Sequence, residues 1–106
     1  MKLLLDENLP HELRYYLAGH APYTAAFMGW KGISNGDRLD KAAGADFDAV
    51  ITKDTKIEYE QDLTALPVAV LIIQARANSF YDFRPLLPAI LSALATIRPK
   101  TLVKAG

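Results

Sequence analysis

Cysteine is missing from this 106-residue chain. Its absence excludes disulfides, thiolate metal sites and cysteine nucleophiles together, and it suits a reducing compartment. Long apolar runs are missing too. No stretch approaches the ~18 residues of a membrane span, and the apolar start Met1–Leu5 meets Asp6-Glu7 at once, too soon for a secretory signal. Neither charge is in surplus, with 12 Lys and Arg against 12 Asp and Glu, so neither a basic nucleic-acid coat nor an acidic tail is expected. Only two histidines occur, His11 and His20, without ligand spacing to each other or to the acids. No GxGxxG, P-loop or nucleophile elbow is present, and Ser34 and Ser79 lack a neighbouring base, which sets aside nucleotide binding and serine hydrolysis. What is there is 51% hydrophobic and 23% charged: one small cytoplasmic domain over residues 1–106, able to bury a core.

The balanced total hides an asymmetry. Residues 1–60 carry ten acids and seven bases, whereas residues 61–106 carry two acids and five bases. An acidic first part suits cations and a basic last part suits phosphates; scattered charge for solubility is the plain alternative.

Strand-like and helix-like segments alternate along the chain. Lys2-Leu3-Leu4-Leu5 is a continuous apolar run of the kind found in strands buried on both faces. Leu9, Leu13, Tyr16 and Leu17 keep helical spacing behind Pro10, with Gly19 as a stop. Tyr23–Phe27 reads as a weaker second strand, and 29–36 as a Gly-rich loop holding Trp30. Ser34, three residues before Asp37, marks a helix start whose narrow apolar stripe is Leu39, Ala42 and Ala43. Ala49–Thr52 is a third strand, a short helix falls over Ile57–Leu63, and Val68–Ile73 is the strongest strand. The last helix runs from Ser79 through Ile97, disturbed at Pro85 and Pro88, and Thr101–Val103 closes the chain as a strand. Such alternation predicts an α/β/α sandwich, a mainly parallel sheet of four to five strands covered on both sides.

Ligands of such sheets gather at the carboxyl ends of the strands. Asp6 follows the first strand, Asp54 follows the third, and Asp37 stands in the first turn of the helix after the second. Three carboxylates converging on one edge need a cation between them, and hard oxygen ligands suit Mg²⁺ or Mn²⁺. Each acid also has a plain structural use, as a helix cap or dipole partner, and spacing alone leaves both open.

The stretches LLLDENLP (3–10), GWKGISNGD (29–37) and ITKD (51–54) resemble the PIN-like domains that form the toxin half of bacterial type II toxin–antitoxin pairs, in the same order and over nearly the whole chain. That resemblance implies a compact α/β/α sandwich, metal-dependent cleavage of RNA and inhibition by a small antitoxin protein. Asp6, Asp37 and Asp54 fall on the family's acidic positions as catalytic residues and metal ligands, and Glu7 and Asn8 belong to the first motif. Many members carry a fourth acid after the fourth strand; here that region reads Gln74-Ala75-Arg76-Ala77-Asn78, with no carboxylate.

Lys53, Arg76 and Asn78 are candidate phosphate or substrate contacts, with ordinary surface roles as the alternative. Trp30 is placed to stack on a base, or to seal a hydrophobic gap or a partner interface. The last helix carries Phe83, Leu86, Leu87, Ile90, Leu91, Leu94 and Ile97, a wider apolar band than one sheet face covers, which points to a homodimer or an antitoxin interface. Two other functions fit parts of the pattern. A receiver-like phosphoacceptor would use Asp6-Glu7, Asp54 and Lys104; a PIN-like module without catalysis would explain the absent fourth acid.

Overall fold

The computed structural model describes residues 1–106 except Asn78, so the expected substrate contact there lies outside the described residues. Five strands form one sheet in the order β2-β1-β3-β4-β5, with every neighbouring pair parallel. They are β1 (Lys2–Leu5), β2 (Ala21–Thr24), β3 (Ala49–Thr52), β4 (Ala69–Ile73) and β5 (Leu102–Ala105). The expected α/β sandwich is present, with five strands.

Period-two alternation of the central strands splits the core into two layers. Leu3 and Leu5 of β1, Ile51 of β3 and Leu71 of β4 pack on one face, with Leu13, Phe83, Ile90 and Leu94 above them. Leu4, Val50, Val70 and Ile72 pack on the other, against Leu39, Ala42 and Ile57. Helices α2 (Asn35–Gly44) and α3 (Ile57–Glu60) therefore cover one face, and α4 (Phe80–Phe83) and α5 (Leu87–Thr96) the other.

Two segments depart from the sequence reading, and the expected disturbance of the last helix is found. The stretch expected as the first helix becomes a 3-10 turn over His11–Tyr16, though Leu9, Leu13 and Leu17 keep their buried stripe. The second strand lies earlier than expected, because Thr24 ends it by capping α1 (Ala25–Met28), its hydroxyl oxygen accepting the Phe27 N–H at 3.1 Å. Its Pro22 is tolerated because β2 is an edge strand. The last helix is broken by a 3-10 turn over Arg84–Leu86, where Pro85 and Pro88 cannot supply helical N–H groups.

The expected apolar surplus on the last helix is not found. Phe83, Ile90 and Leu94 are buried, and Leu86, Leu87, Leu91 and Ile97 pack against the same cluster. The outward positions of α5 are Pro88, Ala89, Ser92, Ala95 and Thr96, small or polar. The helix thus gives no ground for the homodimer or antitoxin interface expected from it. Among the described residues no helix is long and apolar enough to cross a membrane.

Ser34 caps α2 as its position before Asp37 suggests: its hydroxyl oxygen accepts the Asp37 N–H at 3.2 Å. Ser34→Ala is expected to cost about 1 kcal/mol in urea denaturation; an unchanged midpoint would show that tertiary packing alone holds that first turn.

Candidate functional site

Only three polar or charged residues are buried among those described, Asp6, Arg38 and Thr52, and all three meet in one cluster. Strand parity brings two of them together. Asp6 follows Leu5 and continues the ladder by donating its N–H to the Ile51 carbonyl at 2.9 Å. It falls on the same side as Leu4, as Thr52 falls on the side of Val50, and this is the side covered by α2. The Thr52 hydroxyl donates to Asp6 Oδ2 at 2.6 Å and accepts the Asp54 N–H at 3.0 Å. One hydroxyl thereby links the ends of both strands.

The third member comes from α2. Arg38 places Nε 3.2 Å from Asp6 Oδ1, a charge contact in which the N–H is not hydrogen-bonded. Its Nη2 donates to Glu7 Oε1 at 2.9 Å and to the Ile33 carbonyl at 3.2 Å, and its Nη1 to Asn35 Oδ1 at 3.0 Å. The same two carboxylate oxygens that face Arg38 also accept from the backbone. The Glu7 N–H donates to Asp6 Oδ1, and the Gly32 N–H to Glu7 Oε1 at 3.0 Å, the latter from a turn whose φ of +76° favours glycine.

Asn35 joins this cluster to a second one. Its amide donates to Asp54 Oδ2 at 3.1 Å and to Glu60 Oε1 at 3.2 Å. Burial works against ionisation of Asp54, but the Asn35 amide, the Lys56 N–H at 2.9 Å and the charges of Lys56 and Arg38 outweigh it and hold its carboxyl below the ordinary aspartate range. Together these residues line an open cleft of about 430 Å³ carrying four carboxylates (Asp6, Glu7, Asp54, Glu60) and two cations (Arg38, Lys56). It lies at the carboxyl ends of β1 and β3. That is where the strand order reverses, the usual ligand position in open parallel sheets.

Of the residues picked from sequence, Asp6, Glu7, Asn8 and Asp54 come together in this cleft. Asp37 does not join them. It is exposed in the first turn of α2, because two residues along a helix turn the side chain by about 200° from Asn35. Asn35 and Arg38, three apart, share the inward face instead. Lys53 is partly buried beside Asp54 but does not line the cleft, and Arg76 is exposed outside it. Trp30 packs edge-on against Phe47 with ring centroids 5.9 Å apart, so it seals the α2-side core.

Sequence reasoning missed Asn35, Arg38, Thr52, Lys56 and Glu60. Arg38 carried a readable signal: it stands four residues before Ala42, on the helix's buried stripe, where a charge needs a partner.

A divalent cation suits this donor set in chemistry. Every candidate ligand is a hard oxygen, and Asn8, which lines the cleft, has a buried Oδ1 with no hydrogen-bond partner. Among the described residues, however, no three acidic or histidine side chains stand grouped as a formed metal centre. Arg38 and Asn35 occupy the carboxylate oxygens. Compared with protein-family models, curated proteins and solved structures, the chain matches none.

A depressed Asp54 pKa stabilises the fold above the unfolded value of about 3.9, and that contribution disappears as pH falls through the lower folded value. Asn35→Ala removes the largest lowering influence, so the Asp54 titration should move up toward the ordinary value and its acid-side stability contribution should shrink. Carbon-13 NMR of the Asp54 carboxyl measures this directly; an unmoved midpoint would show that Asn35 does not set its charge.

Proposed function

We propose that the chain is a metal-dependent endoribonuclease of the PIN-like kind, the toxin half of a type II pair, with RNA as substrate and a small antitoxin protein as inhibitor. One observation carries this reading. The three sequence stretches that resemble the family all contribute to a single cleft: Asp6, Glu7 and Asn8 from the first, Ile33, Ser34 and Asn35 from the second, and Asp54 from the third.

Asp6, Glu7 and Asp54 would hold Mg²⁺ or Mn²⁺, with Asn8 Oδ1 as a further oxygen. When bound, such an ion supplies a polarised phosphodiester oxygen and a water of lowered pKa. The chain's own residues supply orientation and charge. Thr52 fixes one oxygen of Asp6, and Asn35 with the Lys56 N–H keeps Asp54 ionised. Lys56, exposed at the cleft, is placed to meet a phosphate. With Gln74 rather than an acid after β4, the donor set suits one ion rather than two.

The strand order supports one competing reading, a receiver-like phosphoacceptor, because receivers share the order 2-1-3-4-5. Its required lysine is engaged elsewhere. Lys104 on β5 forms an ion pair with Glu58 of α3, which raises its pKa.

A fluorescent single-stranded RNA, incubated with Mg²⁺, Mn²⁺ or EDTA, tests the proposal. Wild type should cleave only with metal, and Asp6→Asn and Asp54→Asn should fold yet lose cleavage by orders of magnitude. Cleavage that survives EDTA, or equals wild type in both variants, would sink the reading. No cleavage with any metal would favour the binding module without catalysis, and phosphate acquired on Asp54 from a small-molecule phosphodonor would favour the receiver.

A further inference from the structure

We infer that Arg38 is the resident cation of the cleft, and that a divalent ion binds only by displacing it. The inference rests on the metal-dependent reading and adds a means of regulation to the same site.

The guanidinium is already where an ion would have to sit. Its side chain is 5% exposed, and it contacts Asp6, whose side chain is 3% exposed, and Glu7, two of the three proposed acidic ligands. A guanidinium and a divalent ion cannot share those oxygens, because two cations a few ångströms apart repel strongly in a medium of low dielectric. Binding is therefore an exchange of cations and not the filling of a vacancy. This also explains why the acids are not grouped as a formed metal centre.

The contacts indicate which bond yields first. The hold on Glu7 is a hydrogen-bonded ion pair at 2.9 Å, and the Glu7 side chain is 33% exposed. The hold on Asp6 is charge proximity alone, since the buried Nε–H has no hydrogen-bond partner. A guanidinium that swings toward solvent gives up the weak contact to Asp6 first and the Glu7 contact after it, because the ion takes both carboxylates. Asp6 would then be open to the ion while Thr52 still orients it. The free protein rests in a closed, self-neutralised state, and divalent affinity is set by how readily Arg38 leaves.

The test uses the full chain, stripped of metal. Calorimetry gives Mn²⁺ affinity for wild type and Arg38→Met, which keeps volume and removes charge. Proton–nitrogen NMR follows the Arg38 Nε–H of wild type during Mg²⁺ titration. The inference predicts Mn²⁺ binding about tenfold tighter in Arg38→Met, and an Nε–H signal that shifts and exchanges faster with water as Mg²⁺ binds. Equal or weaker Mn²⁺ binding by a folded Arg38→Met would overturn it, making Arg38 a positioning residue for Asp6. So would Mg²⁺ binding that leaves the Nε–H signal unmoved, and this arm decides alone where the variant fails to fold. No divalent binding to either chain would overturn the nuclease reading and the inference together.

Discussion

Asp6 is a carboxylate almost wholly removed from water in a small domain, and the cluster around it follows from how its charge is matched. An unpaired buried charge costs several kcal/mol, a large share of the total stability of a chain of this size. Arg38 supplies the opposite charge and Thr52 a short hydrogen bond. Each rescuer is itself buried, so each needs partners of its own. Arg38 finds them in Glu7, Asn35 and the Ile33 carbonyl, and Thr52 in the Asp54 N–H. Satisfying one charge thereby draws in β1, β3, α2 and the loop before α2.

The parallel sheet makes this network affordable and places it. Strands buried on both faces, such as Leu3–Leu5 and Ala49–Ile51, hold no polar side chain within the sheet. Polarity has to begin where the strands end. Because β1 and β3 are adjacent and in register, Leu5 opposite Ile51, their following residues meet at one edge. Beyond it, α2 is fixed by the Ser34 cap at its start and by Leu39 and Ala42 in the core, so Asn35 and Arg38 turn inward with little freedom. The cleft is the consequence of these three constraints acting at once.

Much of this was legible in the residues. Continuous apolar runs located β1, β3 and β4, and the alternation of elements led to the parallel sandwich. The acids at the ends of β1 and β3 were legible for the same reason, since a charge directly after a buried run marks the sheet's edge. Helix phase was harder. Choosing Asp37 over Asn35 followed residue chemistry, an acid in preference to an amide, when the turn per residue decided which side chain reached the cleft. Arg38 is hard to read in the sequence because surface arginine is the usual case, and only its spacing to Ala42 argues otherwise. The apolar band of the last helix looks like surplus in the sequence because its length is visible there while the cover provided by the sheet is not. Thr24 ended β2 through a single capping bond that β-propensity could not reveal.

The central claim is that Arg38 and Asp6 act as one unit on which the site depends. A double-mutant cycle with Asp6→Asn and Arg38→Met, followed by urea denaturation near neutral pH, measures that coupling without reference to any ligand. The account predicts that each single change is costly and that the double variant recovers part of the loss, with a coupling of about 2 kcal/mol. Two losses that add within about 0.5 kcal/mol would contradict it, since independent residues behave in that way.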